Sequence, residues 1–334
     1  MQRIATFNSA CEMPENSYGF KMMLADGASL KMVRRASFST CGKHLPLIVM
    51  QRVGKLFKCS KMLDAAILSE RLPEIMPQEH VPKSVPAAAV DSAARRILRS
   101  GCAWYIKPDR YFSRGEMVTR VERNGDSVHI QTYTASLELP CTRLAQYLLQ
   151  LCIDVQENGG SELIMQKEVP HTREIRVLVQ NDGGILVPKF MYAKRRHLIG
   201  CNVAHGAKVE EYYDPALGRI ALGTLNLLIQ GYARLGIVSK AELAKLFSIV
   251  AVDFMVSGNK YVFCEYNLGP GMEGVRLLAP DVARSLMKGY LSNIERCMRE
   301  ISECGEELFY ARTLSGKPMP IASADSGPSA INSQ

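Results

Sequence analysis

The most informative stretch of the sequence is AVDFMVSGNKYVFCEYN, residues 251–267. Two runs rich in β-branched and aromatic residues flank a Ser-Gly-Asn turn, which predicts an antiparallel hairpin. The hairpin brings Asp253 close to Glu265, and Asn267 shares a face with Glu265 because side chains alternate along a strand. Three oxygen ligands near one point favour Mg²⁺, which takes few carboxylates and completes its shell with water and phosphate. The alternative, an edge hairpin with solvated acids, leaves acids within apolar strands unexplained.

A lysine and a loop further upstream suit phosphate binding. Lys107 ends the predicted strand CAWYIK, and Ser113 and Gly115 lie in the loop that follows it. An ammonium group beside main-chain N–H groups is a common way to hold phosphate oxygens. An exposed lysine at the end of a strand would explain the same residues equally well.

Two more polar sites lie between this loop and the hairpin. Gln166, Glu168 and Val169 close an apolar strand, where an extended segment could offer main-chain groups to an adenine edge. Glu174 and Arg176 follow on a strand rich in β-branched residues and share one face. Two charged residues on one face predict that the face lines a site. The alternative is an ordinary sheet face that is exposed to solvent.

The composition is that of a folded protein. The chain has 334 residues, of which 47% are hydrophobic and 22% are charged, and this excludes collagen-like and wholly disordered chains. The net charge of +8 is concentrated in residues 1–62, which hold ten Lys or Arg against three acids. No apolar run approaches a membrane span, and the N-terminus lacks the apolar core of a secretory signal, so we expect a cytoplasmic protein. Ten cysteines without a C-x-x-C pair favour reduced structural thiols over a zinc site or a disulfide framework.

Helical and strand patterns alternate along the chain and predict an α+β fold with mixed or antiparallel sheets. Strands are predicted at 45–50, 102–107, 116–121, 127–133, 162–169, 174–180 and 184–194, before the hairpin. Helices are predicted at 61–72, 87–100, 142–156, 224–236 and 240–250, with two more near 279–302. Four prolines between residues 73 and 86 indicate a linker, and the polar tail after 312 has the composition of a disordered segment.

Taken in order, these segments resemble the ATP-grasp superfamily over roughly residues 45–300. The segments that carry the resemblance are YIKPDRYFSRG, MQKEVP, REIRVLV, DFMV and CEYNLGPG. Within the superfamily, the sequence of these segments, together with KLFKCSKMLDAAILSERLPEIMP, looks most like the bacterial endospore coat-associated ATP-grasp group. The resemblance implies two α+β subdomains that clasp a nucleotide, preceded by a small α/β lobe. It divides the chain into an N-terminal lobe with linker at 1–85, an ATP-grasp domain at 86–312 and a tail at 313–334.

The resemblance also implies roles for individual residues. Contacts with ATP fall to Lys58, Lys107, Ser113, Gly115, Gln166, Glu168, Val169 and Glu174. Contacts with the γ-phosphate or an acylphosphate fall to Arg176, Arg196 and Asn202, and Mg²⁺ ligation falls to Asp253, Glu265 and Asn267. Lys61 competes with Lys58 for the second nucleotide lysine, and the spacing to Pro77 favours Lys58. The phosphate loop is poorer in glycine than the family's usual loop, which places its closure over ATP in question.

The function implied is that of an ATP-dependent carboxylate–amine ligase that works through an acylphosphate with ATP and Mg²⁺. Its partners would be a small-molecule or peptide carboxylate and an amine, with no membrane, and related folds are often homodimers. A nucleotide-binding module with weak or no turnover, serving assembly or regulation, is the alternative. Nucleic-acid binding by the basic N-terminus is a third reading, which the few aromatic residues there disfavour.

Overall fold

The computed structural model describes residues 3–4, 23–24, 61–69, 83–109, 117–157, 162–182, 185–234, 249–268 and 270–289. Helices and antiparallel sheets are mixed in this part of the chain, so the predicted α+β class is confirmed. Two larger sheets carry the architecture, and strands β1 (Arg3–Ile4) and β2 (Met23–Leu24) form a separate antiparallel pair. No described helix combines the length and apolar character needed to cross a membrane.

The first large sheet has six strands in the order β3-β8-β4-β5-β6-β7, and every neighbouring pair is antiparallel. The strands are β3 (Lys83–Val85), β4 (Trp104–Pro108), β5 (Thr119–Asn124), β6 (Ser127–Gln131), β7 (Ser136–Pro140) and β8 (Leu163–Lys167). Two helices, α2 (Val90–Arg99) and α3 (Leu144–Glu157), cover one face and bury its apolar side chains. Along β4 burial alternates, so Trp104 and Ile106 enter this core while Tyr105 and Lys107 face the other way.

The second large sheet has five strands in the order β11-β10-β9-β12-β13, again all antiparallel. Its strands are β9 (Arg173–Asp182), β10 (Ile185–Arg195), β11 (Val209–Glu211), β12 (Ile249–Ser257) and β13 (Lys260–Leu268). One face packs on α1 (Lys61–Ser69) and α4 (Pro215–Arg234) through a mainly apolar core. The opposite face is apolar only in part, where α5 (Glu273–Leu278) and the helix at 280–289 cover it.

Two β-bulges interrupt the register of the five-stranded sheet. In the β9–β10 hairpin the pairing shifts by one residue between Pro188 and Phe190. In the β12–β13 hairpin it shifts between Asp253 and Phe254, so that Cys264 is the extra residue on β13. A one-residue shift transfers every later side chain to the other face of a sheet. The two bulges therefore decide which side chains meet on the partly polar face.

Most predicted elements are present, with differences at their ends. Helix α4 begins at Pro215, nine residues before the predicted start, because Asp214 caps it by accepting a hydrogen bond from the Ala216 N–H at 2.8 Å. The predicted helix at 240–250 is wrong at its end, since residues 249–250 begin β12. An apolar run such as FSIVAV fits a buried strand as well as a buried helix. Strands β1, β2, β3, β7 and β11 and helix α5 were not predicted.

The predicted N-terminal lobe is described only in part. The predicted strand at 45–50 lies outside the described residues, as do most of the proline-rich linker and the tail. Helix α1 packs on α4, where the position of Gly231 leaves room for the Ile67 side chain. Strand β3, within the predicted linker, forms an edge of the six-stranded sheet. The domain boundaries at 85 and 312 stay predictions.

Candidate active site

A buried carboxylate is the centre of the polar face of the five-stranded sheet. Asp253 on β12 is 1% exposed and pairs directly with Arg176 on β9 and Glu265 on β13. Arg176 binds it with two parallel hydrogen bonds, from Nε to Oδ1 at 2.8 Å and from Nη2 to Oδ2 at 2.6 Å. A planar guanidinium that meets a carboxylate in this way gives a strong pair of fixed geometry. Asp253 is therefore held in a defined orientation.

A second cation completes this cluster. Lys194 on β10 lies 3.2 Å from Asp253 Oδ1 and 2.9 Å from Glu174 Oε2, and its side chain is buried. Burial would lower the pKa of the Lys194 ammonium, but the two carboxylates outweigh this and raise it above its ordinary value. Burial would likewise raise the pKa of Glu174, yet the nearby Lys194 holds it well below its usual range. Lys194 and Glu174 are thus both charged in this buried cluster.

The predicted metal ligands meet through the bulge at Cys264. The shift in register places Glu265 directly opposite Asp253, and without it Cys264 would occupy that position. Asn267 donates through Nδ2 to Asp253 Oδ2 at 3.3 Å and to Glu265 Oε1 at 3.1 Å. The two carboxylates and the amide therefore lie on one side of the hairpin, close enough to share hydrogen bonds.

The acceptor sites of Asp253 are fully used in this arrangement. A carboxylate has about four lone-pair positions. Arg176 takes two of them, Lys194 a third and the Asn267 amide the fourth. Rotation of the Asn267 amide would release one position and present its carbonyl oxygen to the same space. Asp253, Glu265 and Asn267 together could then bind a hard cation through oxygen atoms, with the Asn267 carbonyl oxygen turned towards the ion.

The six-stranded sheet contributes a lysine to the same region. Lys107 lies on the face of β4 away from that sheet's helices and is partly buried. Its charge counteracts the increase that burial causes in the pKa of Cys264 on β13. Gln166 on β8 pairs opposite Tyr105 and shares the Lys107 face. Lys107 belongs to one sheet and the hairpin of Asp253 and Glu265 to the other, and an electrostatic effect of the lysine extends to Cys264 of that hairpin.

A second carboxylate cluster joins the two sheets. Glu168, just after β8, accepts hydrogen bonds from Arg120 Nη2 at 2.8 Å and from Arg196 Nη2 at 2.7 Å. Arg196, just after β10, also donates to the Tyr105 hydroxyl at 2.8 Å, and that hydroxyl donates to the Ile199 carbonyl at 2.6 Å. Strand β4 of one sheet is thereby linked to the loop that follows β10 of the other.

The remaining predicted residues lie at varied positions. The Glu168 N–H donates to the Ala103 carbonyl and the Val169 carbonyl accepts from His171 Nδ1, so both groups are engaged within the chain. The Asn202 carbonyl accepts from the N–H of His205, where a short 3-10 turn begins. Lys58, Ser113 and Gly115 fall outside the described residues. Lys61, the competitor of Lys58, donates to the carbonyls of Pro108 and Asp109, both at 3.1 Å.

Three residues of these clusters were not predicted from the sequence: Lys194, Arg120 and Tyr105. A regular β9–β10 hairpin would place Ala193 opposite Glu174, and only the bulge after Pro188 brings Lys194 there. Tyr105 on β4 and Arg120 on β5 lie at the less buried positions of strands whose burial alternates, and ordinary solvent-exposed sheet faces show the same alternation. The sequence feature that could have indicated them is one face of β4 and β5 on which aromatic and charged residues occur together.

Comparisons with known proteins give structural similarity only. A scan against models of protein families finds no match, and a search of curated proteins also finds none. The chain is similar to a biotin carboxylase–βγ-ATP complex from Campylobacter jejuni, with a TM-score of 0.45, 14% identity, and coverage of 69% of this chain and 45% of that one. It is similar to D-alanine–D-alanine ligase from Bacillus anthracis complexed with ATP, with a TM-score of 0.40, 18% identity, and coverage of 72% and 67%.

A third similar structure is N5-carboxyaminoimidazole synthetase from Staphylococcus aureus complexed with ADP. The TM-score is 0.40 with 13% identity, and the match covers 64% of this chain and 45% of that one. The chain thus spans less than half the length of two of these three proteins.

Proposed function

We propose that this protein is an ATP-dependent ligase of the ATP-grasp type, which activates a carboxylate as an acylphosphate and joins it to an amine. The observation that carries the proposal is the meeting of Asp253, Glu265 and Asn267 on one bulged hairpin, beside the buried cations Arg176 and Lys194. Anionic ligands for a metal and cationic groups for phosphate oxygens are the two requirements of phosphoryl transfer. The order of the sequence segments, from the Lys107 strand to the Glu-x-Asn strand, supports the same assignment.

The chain's own groups have distinct tasks in this proposal. Lys107 and Arg176 would bind phosphate oxygens and neutralise the charge that develops on the transferred group. Asp253, Glu265 and Asn267 would hold Mg²⁺, which when bound supplies further charge neutralisation. Lys194 would hold Glu174 and Asp253 in place, because it contacts both carboxylates.

The reaction balances without a covalent intermediate on the protein. An oxygen of the substrate carboxylate attacks the γ-phosphorus, the bond to the β–γ bridging oxygen breaks, and ADP leaves. The amine nitrogen then attacks the carbonyl carbon of the acylphosphate, loses a proton and expels inorganic phosphate. We propose a small-molecule or peptide carboxylate and an amine as substrates, a cytoplasmic location and a homodimeric assembly.

One observation favours the second candidate, a nucleotide-binding module with weak turnover. The Asp253 carboxylate already has all its acceptor positions filled by Arg176, Lys194 and Asn267. These two cations compensate the negative charge of Asp253 and so weaken its attraction for a metal ion. Such a site could bind nucleotide for assembly or regulation without transferring the phosphoryl group.

The two candidates are separated by a turnover assay. Full-length protein is incubated with Mg·ATP and a pool of amino acids and short peptides, and release of ADP and phosphate is followed. The ligase predicts release that depends on an added acid and amine, and that falls at least about 100-fold in Glu265→Gln. Glu210→Gln, which alters a more exposed carboxylate on β11, is the matched control and should keep full turnover. Nucleotide binding without substrate-dependent release would instead support the module.

A further inference from the structure

Beside the proposed active site lies a second cluster of ligand-type side chains with a different chemistry. His171, Glu174 and Cys201 place an imidazole nitrogen, a carboxylate oxygen and a thiol sulfur within 4.8 Å of one another. His171 precedes β9, Glu174 lies on it, and Cys201 follows the turn at 197–200. The His171 and Cys201 side chains are buried, so neither is an incidental surface group.

The hydrogen bond of His171 determines which of its ring nitrogens is available. Nδ1 lies 2.6 Å from the Val169 carbonyl oxygen, which only accepts, so Nδ1 carries the proton. Within the described part of the chain, the buried Nε2 has no hydrogen-bond partner. Glu174 Oε1 lies 3.6 Å from Nε2, which is longer than a hydrogen bond. In metal sites histidine commonly donates its other ring N–H to a carbonyl or carboxylate in this way.

The other two side chains also present donor atoms towards this point. Lys194 binds Oε2 of Glu174 at 2.9 Å, which leaves Oε1 directed at His171. Cys201 is 3% exposed, and burial raises the pKa of its thiol. A bound cation reverses this, because a thiol that coordinates a metal loses its proton outright.

We propose that His171 Nε2, Glu174 Oε1 and Cys201 Sγ bind a transition-metal ion of the Zn²⁺ class. Mixed nitrogen, sulfur and oxygen donors select Zn²⁺ over Mg²⁺, which prefers oxygen alone. Ligand atoms around tetrahedral zinc are roughly 3.5 Å apart. The spacing of Nε2 and Oε1 already matches this, at 3.6 Å, and the widest spacing in the cluster must contract by about 1 Å.

The position of this site gives it a structural role. His171 lies on the connection between the six-stranded and five-stranded sheets, and Cys201 lies in the loop that also carries the Tyr105–Ile199 contact. A metal ion would tie that connection to that loop. Lys194 lies between this site and Asp253, so the two sites are neighbours with separate ligand sets except for the shared lysine contact. The sequence favoured no zinc site because these three residues have no motif spacing.

The test uses Co²⁺ as a spectroscopic probe and needs no nucleotide, so its outcome is independent of ligase activity. Chelator-treated full-length protein is titrated with Co²⁺, and we expect one equivalent to bind with a thiolate-to-cobalt charge-transfer band. Cys201→Ser should lose the band, whereas Cys152→Ser, a buried thiol in the core of the other sheet, should retain it. His171→Asn should weaken affinity at least about 10-fold while keeping an N–H for the Val169 carbonyl.

A second measurement guards against loss of folding in the variants. Zn²⁺ should raise the melting temperature of the wild-type chain, and circular dichroism identifies variants that remain folded. His171→Asn should show a smaller increase at the same Zn²⁺ concentration, since the ion then lacks its nitrogen ligand and binds more weakly. The proposal is overturned if the wild type binds neither ion, or if the Co²⁺ band is unchanged in folded Cys201→Ser.

Discussion

Two carboxylates in this protein are each held by two cationic side chains, but their surroundings differ. Asp253 lies within the five-stranded sheet, 1% exposed, between Arg176 and Lys194. Glu168 lies where the two large sheets meet, with a side chain 15% exposed, between one arginine from each sheet. The first cluster is built from neighbouring strands, and the second joins parts of the chain that no strand pairing connects.

This difference indicates separate roles. Burying several charges is expensive, and a buried ion pair is often no more stabilising than apolar residues of the same size. Phe254, the next residue on β12, occupies the opposite apolar face, so the sheet could accommodate an apolar residue in this strand. The proposed ligase function would give the charges around Asp253 a chemical role, whereas those around Glu168 link one sheet to the other.

The largest effect is expected from Asp253→Ala. The change leaves Arg176 and Lys194 buried without their shared anion and should reduce the free energy of unfolding by about 3–5 kcal/mol. Turnover should disappear, because one predicted metal ligand and the anchor of Arg176 are lost together. Urea unfolding measures the first effect, and ADP release by the folded protein measures the second.

The adjacent residue provides the control for Asp253. Phe254→Leu keeps an apolar side chain on the other face of β12 and should cost about 1 kcal/mol, since size changes of this kind are well tolerated. Turnover should be unchanged. If both variants lost turnover equally, the contrast between the two faces of the sheet would be wrong.

The two clusters also differ in how well a sequence predicts them. Asp253, Glu265 and Asn267 were predicted because two strands with acids at set positions flank a short turn. The pairing of Asp253 with Glu265 depends on the bulge at Cys264, which the sequence pattern does not predict. Lys194 was missed for the same physical reason, since a bulge on β10 moves it to the polar face.

The Glu168 cluster was less predictable, because it depends on how two sheets meet. The sequence placed Glu168 beside adenine by resemblance, and Arg196 beside a phosphate. Their mutual contact at 2.7 Å is long-range and follows from the relative position of the sheets, which local periodicity does not encode. The α+β class and most of the longer strands, in contrast, follow from local patterns and were predicted correctly.

An intermediate effect is expected from Glu168→Gln. The amide leaves Arg120 and Arg196 near each other with no anion between them, and we expect a loss of about 2 kcal/mol in unfolding free energy. Because the contact positions the sheets, KM for ATP should rise more than kcat falls. Steady-state kinetics measure this split, and Glu138→Gln on the exposed β7 strand is a control that should change neither value.

A smaller effect is expected in acid. Burial would raise the pKa of Glu168, but Arg120 and Arg196 outweigh it and lower that pKa below the ordinary value. The carboxylate therefore contributes stability above the ordinary glutamate pKa of about 4.3, and that contribution is lost as the pH falls through its lowered value. The loss from one such group cannot exceed about 1.4 kcal/mol per pH unit. Urea unfolding at a series of pH values measures this loss. Between pH 5 and 3 the unfolding free energy should fall less steeply with pH in Glu168→Gln than in the wild type, and equal slopes would contradict the role given to Glu168.

The smallest effect is expected from Arg195→Ala, next to the buried Lys194. Arg195 pairs with Glu210 at 2.7 Å, but its side chain is 65% exposed, and solvent-exposed ion pairs contribute little to stability. We expect a change of about 0.5 kcal/mol or less, measured by urea unfolding, and no change in ADP release. Two adjacent residues of β10 thus differ in role: the fold depends on the buried charge of Lys194, whereas it depends little on the exposed charge of Arg195. A clear loss of turnover in Arg195→Ala would extend the active site to the outer side of β10 and remove this distinction.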